Sequence, residues 1–338
     1  MKILHVREVA NVAATLVEAL NRLGHEAQLR DLPVPGAKLP QYLKAATLPA
    51  RLRDGLAINR YIRDWKPDIV HLHIAYMGWL GVLGGYPYFL HCHGDDVSVN
   101  MHRPLLRWLS TQSITRAQRF FCSTPDLLQH VTDIRPDTAF IPNPINTDRF
   151  RPAGPADREP RILFISRFER KKGPEIAARI FREFRRSYPS LTIDAFRWGP
   201  LFGRQEDPGL FSSFIPLVPY SQMPDLINRY DIVVGQFHLG ILSMSELEAM
   251  ACAKPVVSYF NYPEVYDEPP PLVSGRNPEE VAEKMTALVE DRSARRELGD
   301  RGRSWVEGHH DYLRVARLLE GHYAQRELAA SNQPANRG

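Results

Sequence analysis

Short apolar runs alternate with longer amphipathic segments along almost the whole 338-residue chain. Runs such as "KILHV" and "FFCS" have the length of buried strands, and the segments between them carry apolar residues at helical spacing. The pattern predicts strands over residues 2–6, 25–29, 68–73, 88–92, 119–123 and 138–141. Helices fall between most of them, for example over 11–23 and 54–65, and Gly24 is a natural stop for the first. After a break the alternation restarts, with strands over 161–166, 191–196, 231–235 and 255–259. Helices are expected there over 174–186, 222–229, 245–251 and 278–289. Strands that alternate with helices form parallel sheets covered on both faces, so the expected class is α/β, as two Rossmann-like doubly wound domains.

The break is "NPINTDRFRPAGPADREP", residues 143–160, rich in Pro, Asp and Arg and without a sustained period. It reads as an interdomain linker. The expected division is a first domain over 1–145, a linker over 146–160 and a second domain over 161–308. A helix over 309–328 packs back toward the first domain, and residues 329–338 form a disordered tail. Ligands of such sheets bind outside the carboxyl ends of the strands. Two domains facing each other would enclose a cleft there, so residues just after strands are the candidates for chemistry.

Composition alters this picture little: 43% apolar and 24% charged residues are the proportions of a soluble globular protein. "MKILHV" is too short for a signal peptide, and Arg7 and Glu8 follow it directly. Residues 74–92 approach the length of a membrane span, but Gly84-Gly85 and Pro87 punctuate them and "HGDD" follows. They divide better into a glycine-containing helix and a buried strand. Cys92, Cys122 and Cys252 lie far apart in apolar contexts, as expected of reduced core thiols in a cytoplasmic protein. No metal-ligand spacing is present, and no metal site is expected.

Charge is unevenly placed. The net charge is +4, and residues 1–150 hold 17 Lys and Arg against 13 Asp and Glu, so all the excess lies in the first half. Residues 37–66 carry Lys38, Lys44, Arg51, Arg53, Arg60, Arg63 and Lys66 against Asp54 and Asp64. Residues 98–125 carry Arg103, Arg107, Arg116 and Arg119 with no acid. A basic face suits an anionic membrane, a nucleic acid or an acidic substrate. No nucleic-acid-binding motif accompanies it, so nucleic acid is not an expected partner. Leu105, Leu106 and Trp108 interleave with the second basic segment, which suits the interface of an anionic bilayer.

Three stretches carry candidate chemistry. The strand "RILFIS" ends in "RFERKKGPE", which crowds Arg167, Arg170, Lys171 and Lys172 at the start of a helix. Cations are disfavoured at that end by a few tenths of a kcal/mol to about one each, unless an anion docks between them and the helix. Arg167 and Lys172 are the expected phosphate ligands, and Arg170 and Lys171 are expected to be solvated. In "QFHLGILSMSELEAMACAKPVV", Gly240 permits a tight turn, and Ser243 and Met244 stand where free backbone N–H groups can cradle a phosphate. Glu248, about one turn later, can hydrogen-bond ribose hydroxyls; Glu246 better suits a helix-dipole role. In "HCHGDD", His93, Gly94 and Asp96 close a strand.

Together these stretches resemble the motifs of family 4 glycosyltransferases. "SRFERKKG" is similar to that family's Gly-Arg-Leu…Lys-Gly, with Ser166 for the Gly, and "LEAMACAKPVV" to its Leu-Glu-Ala-Met-Ala-x-Gly-x-Pro-Val-Val, with Ala253 for the Gly. "LHCHGDD" resembles its His-Gly-x-Asp segment. "IPNPINTDRFRP" resembles its linker motif, with Pro144 and Asn146 departing. The blocks come in the family's order over roughly residues 1–325. The resemblance implies the GT-B fold, with a nucleotide-sugar in the second domain and the acceptor mainly on the first. It implies retention of anomeric configuration with no obligatory metal and no cofactor beyond the nucleotide-diphosphate sugar as co-substrate. Arg167 and Lys172 inherit the diphosphate role, Glu248 the ribose role, and His93 a catalytic place beside the transferred sugar. Gly94, Asp96 and Asn11 fall on the acceptor side.

Two departures qualify this picture. The family carries a second Glu eight positions before Glu248, where this chain has Gly240, and "QFHLG" resembles a Gln-Phe-x-x-Gly variant. Gln236 or His238 is then the candidate for orienting the donor sugar. "REVANVAA" replaces the family's Gly-Gly near Asn11. The expected function is retaining, metal-independent hexosyl transfer to a glycan, lipid-linked or small-molecule acceptor, in the cytoplasm or at the inner face of the membrane. The alternative is a non-catalytic nucleotide-sugar-binding protein.

Overall fold

A computed structural model of the chain describes residues 1–32, 46–154, 158–203 and 209–331. Lys38 and Lys44, residues 155–157 of the expected linker and residues 332–338 of the expected tail lie outside the described residues. The chain forms two compact units, one of Met1–Pro144 with the segment from Tyr312 onward, the other of Ile145–Asp311.

The first unit holds a six-stranded sheet of β1 (Lys2–Val6), β2 (Glu26–Arg30), β3 (Ile69–His73), β4 (Phe89–Cys92), β5 (Arg119–Cys122) and β6 (Ala139–Phe140). Its order is β2-β1-β3-β4-β5-β6, and every pairing is parallel. The order reverses between β1 and β3, the switch point at which open parallel sheets bind ligands. Leu4, Val6, Val70, Leu72, Leu90 and Cys92 point to one face and form a core with Ile58, Ile62 and Leu80 of the helices beneath. Side chains alternate along a strand, so His5, His71, His73 and His91 all point to the other face.

The helix Tyr312–Ser331 packs over that second face: Tyr323 meets Phe89 edge-on at 4.9 Å, and Glu320 Oε1 lies 2.9 Å from His25 Nε2. It belongs to the first unit although sequence carries it after the second, and it extends to Ser331, into the stretch expected to be disordered.

The second unit holds β7 (Ile162–Phe164), β8 (Ile193–Phe196), β9 (Ser213–Ile215), β10 (Ile232–Val234), β11 (Val256–Ser258) and β12 (Val273–Ser274), in the parallel order β12-β11-β10-β7-β8-β9. Here the reversal lies between β7 and β10. Residues 146–150, expected to be linker, belong to this unit, as does Ile145, expected in the first domain. Ile145 and Phe150 are fully buried with Leu163, Met250 and Trp305, and Ile145 N–H donates to His310 O at 2.7 Å. The apolar residues in "PINTDRF" lack a period but have a core to enter. No helix among the described residues is long and apolar enough to cross a membrane.

Candidate active site

Two loops meet at the carboxyl ends of β7 and β10. After β7 the cationic stretch makes a short 3₁₀ turn over Arg170–Lys172, and Gly173 then starts the helix Pro174–Ser187 with a left-handed φ of 66°. Phe237 N–H donates to Lys172 O at 3.0 Å, and His238 Nδ1 lies 3.3 Å from Arg170 O. A Cβ on Gly173 would stand 3.3 Å from His238 Cβ, so the approach of the two loops leaves little space for a side chain.

The four cations of this loop are not equivalent. Arg167 pairs with Glu169, and its guanidinium lies 5.4 Å from the Trp198 ring. Lys171 lies 3.7 Å from the other oxygen of Glu169, and Arg170 is exposed. Lys172 makes no ion pair among the described residues. Burial pushes its ammonium pKa down, with Glu246 opposing. Removing an ammonium from water without a partner is costly, and an incoming anion relieves that cost.

The loop after β10 is held from inside. Gln236 is fully buried. Its amide donates to Ile241 O at 2.7 Å and Tyr259 O at 3.0 Å, and its oxygen accepts from the N–H groups of His238 and Leu239. Gly240 turns the loop at φ 72°, and a Cβ there would stand 3.1 Å from Asn261 Cβ. The helix Met244–Ala251 follows. Glu246, fully buried, accepts from Gln236 N–H and Ser258 Oγ with one oxygen and from Ser243 N–H and Oγ with the other. It fastens the helix start to β10 and β11, a capping box with two further partners.

Glu248 is buried without such a set of donors. Burial pushes its carboxyl pKa up to about 8, and a hydrogen bond with Tyr220 pulls the other way. It is therefore largely protonated at neutral pH in the free protein, ready to accept or donate to a hydroxyl. That condition does not suit a helix-dipole acid, which works as an anion at the surface.

In the first unit, β4 ends in His93 and Gly94. Asp96 Oδ1 accepts from His93 N–H and Gly94 N–H, and Oδ2 accepts from Ala75 N–H at 2.9 Å, so this carboxylate clamps the loops after β3 and β4 together. His93 Nε2 lies 2.8 Å from His73 Nδ1, and burial pushes the His93 pKa down to about 3. His73 in turn reaches His5 at 3.0 Å. The loop after β1 takes left-handed φ at Arg7, Ala10 and Asn11 (80°, 51° and 64°), and Ile74 after β3 does so at 79°. These are conformations that glycine adopts freely, and a β-branched residue there is strained.

Two family models match, described as Glycosyltransferase Family 4 over residues 9–149 and Glycosyl transferase-like over residues 170–321. The chain belongs to the family 4 glycosyltransferases. No curated protein matches it in sequence. Among solved structures, the glycosyltransferase is similar to sucrose-phosphate synthase from Thermosynechococcus elongatus (16% identity, TM-score 0.73, 97% of this chain and 100% of that one). It is also similar to Anabaena HepE in complex with UDP-glucose (14%, 0.69, 96% and 100%). A third likeness is to the catalytic domain of starch synthase IV from Arabidopsis thaliana bound to ADP and acarbose (11%, 0.67, 96% and 99%). At such identities the likeness is one of fold, the α/β GT-B class.

Several expected roles change with the geometry. Arg167, Lys172, Met244 and Glu248 lie on the loops and helix that follow β7 and β10. Ser243 lies there too, but its N–H and hydroxyl both serve Glu246, so it has no donor left for a phosphate. Gln236 shapes the loop and has no polar atom left for a sugar, whereas His238 is exposed. Asp96 holds backbone instead of an acceptor, and Asn11 and Gly94 act through backbone shape, the latter at φ 147°. The expectation of no metal-ligating cluster also changes: His5, His71 and His73, and likewise His73, His91 and His93, each bring one nitrogen apiece within 4.8 Å of the others. Alternate histidines in "VHLH" and "LHCH" are the signal that would have found them. Tyr220, the partner of Glu248, had no such signal.

Proposed function

We propose that the glycosyltransferase is a retaining enzyme that moves a hexosyl group from a nucleoside-diphosphate sugar. The observation that carries this reading is Lys172, without an ion pair among the described residues and partly buried where the loops after β7 and β10 join, at the same end of the second sheet as the start of the helix that carries protonatable Glu248. Departure of a nucleoside diphosphate breaks the bond from the anomeric carbon to the diphosphate oxygen and leaves the electron pair on that oxygen. Lys172, Arg167 and the N–H groups opening the helices Pro174–Ser187 and Met244–Ala251 supply preorganised positive charge for it. The reading assigns that task to protein groups and asks no metal of it. Glu248 takes the ribose hydroxyls. In the first unit His93, held neutral by burial, is suited to hydrogen-bond a sugar hydroxyl. UDP-glucose in the complex of HepE makes UDP-sugars the first donors to test.

For the acceptor, we propose a lipid-linked glycan at an anionic membrane surface, in the cytoplasm. Leu48, Leu52 and Leu56 recur at four-residue spacing on the exposed side of the helix Leu48–Trp65, with Leu56 68% exposed. Leu105 (70%) and Trp108 (58%) stand out from the helix Pro104–Arg116. Arg53, Arg60, Arg63, Arg103 and Arg107 lie on or beside these helices, and apolar residues beside bases suit an anionic interface.

The test incubates purified protein with radiolabelled UDP-, GDP- and ADP-sugars, with and without extracted lipid. Sugar transfer to the lipid fraction, or slow donor hydrolysis without it, is the expected result. Tight donor binding with no turnover would instead make it a binding protein, as the Glu missing at Gly240 would then explain.

A further inference from the structure

The histidines of the first unit present more ligand chemistry than a place for one sugar requires. Five imidazoles, from His5, His71, His73, His91 and His93, lie against one another on one face of the sheet. Ring centroids are 4.7 Å apart for His5 and His71, 4.8 Å for His71 and His73, and 4.4 Å for His91 and His93. Every one but His93 is fully buried. Cross-strand register sets the arrangement, with His5 beside His71 and His73 beside His91. Among the described residues, His5 Nε2, His71 Nε2, both nitrogens of His91 and His93 Nδ1 are buried without a hydrogen-bond partner. A neutral imidazole has one donor and one acceptor, and leaving either buried and unmatched costs about 1–3 kcal/mol. A sheet face that stacks several such groups calls for an occupant that takes lone pairs.

We infer that His5, His71 and His73 form a binding site for a late first-row transition-metal ion, with Zn²⁺ the first choice, at the switch point between β1 and β3. One ring nitrogen from each lies within 4.8 Å of the other two. Zn–N bonds of about 2.0–2.1 Å hold ligand atoms roughly 3.4 Å apart at the tetrahedral angle. The rings therefore need small movements, and the 3.0 Å contact of His5 Nδ1 with His73 Nε2 opens slightly.

Metal-ligating histidines anchor the far nitrogen on a further partner, which fixes ring and tautomer. Both β3 histidines do so: His71 Nδ1 lies 2.7 Å from Tyr323 OH and His73 Nδ1 lies 2.8 Å from His93 Nε2. With Nδ1–H donating in each, the Nε2 lone pairs are left for the ion. His91, in the alternative triad, has no hydrogen-bond partner on either ring nitrogen among the described residues, whereas two of the three histidines of the β1–β3 triad are anchored, so the choice falls on the β1–β3 triad. All three ligands are held neutral by burial, the state a metal needs. The ion would tie β1 to β3 and secure the strands that carry the strained loops. None of its three ligands is a donor-binding residue; only His93, which anchors His73, belongs to both readings, and metal retention tests the site without donor binding or turnover.

Full-length protein is expressed in medium supplemented with Zn²⁺ or Co²⁺, passed over chelating resin and assayed for metal. About one retained ion per chain is expected, with the visible absorption of nitrogen-ligated Co²⁺ and a raised unfolding midpoint. His5→Gln and His73→Gln should cut retention at least about tenfold, as should Tyr323→Phe, which keeps the packing and removes only the hydroxyl that anchors His71. His91→Gln should retain at least half. Folded wild-type protein that retains no ion would overturn the inference. So would His5→Gln, His73→Gln and Tyr323→Phe variants that keep it, or an equal loss in His91→Gln.

Discussion

Along β1, β3 and β4 the buried polar side chains are four imidazoles, with His93 just beyond β4, and among the described residues no carboxylate of these strands joins them before Asp96 in the loop beyond. Along β7 and β10 they are cations in one loop and two carboxyl groups, Glu246 and Glu248, on the helix that follows the other. Both sites stand where the strand order of a parallel sheet reverses, so topology explains where they are and nothing of what they bind. The difference lies in how each place treats charge. The first excludes it: His5 and His93 are pushed down to about 3 by burial. In the second, burial pushes the Lys172 ammonium down with Glu246 opposing, and Glu248 is held close to its titration point. A neutral, donor-and-acceptor surface suits sugar hydroxyls or a metal; a cationic corner suits a diphosphate.

That contrast predicts opposite responses of the two units to acid. A histidine with a folded pKa near 3 and an unfolded value near 6.5 binds fewer protons when folded. Stability is therefore complete above about 6.5 and is lost as pH falls toward 3, at up to about 1.4 kcal/mol per pH unit for each such group. With several groups involved, metal-free protein should lose hydrogen-exchange protection in β1, β3 and β4 between pH 6 and 4, before β7 and β10 do. Simultaneous loss in both units would break the comparison.

Glu248 acts in the other direction. Its folded pKa of about 8 exceeds the ordinary 4.5, so the folded state binds more protons across that window, and stability falls as pH rises from about 4.5 to 8. One group sets the slope, again at most about 1.4 kcal/mol per unit. Glu248→Gln should flatten the pH dependence of urea unfolding and leave the variant more stable than the parent at pH 8. A parallel shift at all pH values would show that Glu248 is merely a packing residue. The same variant should bind a nucleoside diphosphate less well while leaving inorganic pyrophosphate binding largely intact.

Lys172→Ala should lower nucleoside-diphosphate affinity about 10- to 100-fold by calorimetry, the loss of one charge-assisted bond of roughly 1.5–3 kcal/mol. Arg167→Ala should cost less, because Glu169 already neutralises part of its charge, and Arg170→Ala less than about twofold. Equal losses at all three would reduce the site to general electrostatics. The smallest expected effect is at the surface of the first unit. Arg103→Glu with Arg107→Glu should reduce cosedimentation with anionic vesicles severalfold at low salt, an attraction screened over about 8 Å at physiological ionic strength, and leave donor binding unchanged. Unchanged vesicle binding would remove those bases from the account.

Much of the fold was legible because apolar period reports which side of a segment meets a core. Ten strands fall within about two residues of where alternation places them. The two unexpected ones, Ser213–Ile215 and Val273–Ser274, are short and at sheet edges, where one neighbour and little burial leave little pattern to read. Arg167, Lys172 and Glu248 stood out as charges in the wrong surroundings. Ser243, Gln236 and Asp96 stood out equally and turned out to hold the backbone, because residue type does not say whether a polar group faces a ligand or an N–H of its own chain.

What the amino-acid sequence determined alone was therefore local: element type, the parallel α/β class, the cationic turn before Pro174, and motifs specific enough to indicate the family. What only the tertiary structure decided was every relation between distant segments. Glu246 meets Gln236 and Ser258 across three elements, Tyr220 meets Glu248, and Tyr312–Ser331 returns to cover the first sheet. Histidines 5, 71, 73, 91 and 93 become one cluster because strand register places them side by side. Register is a property of paired chains, set by burial of whole faces at once, and no single segment carries it.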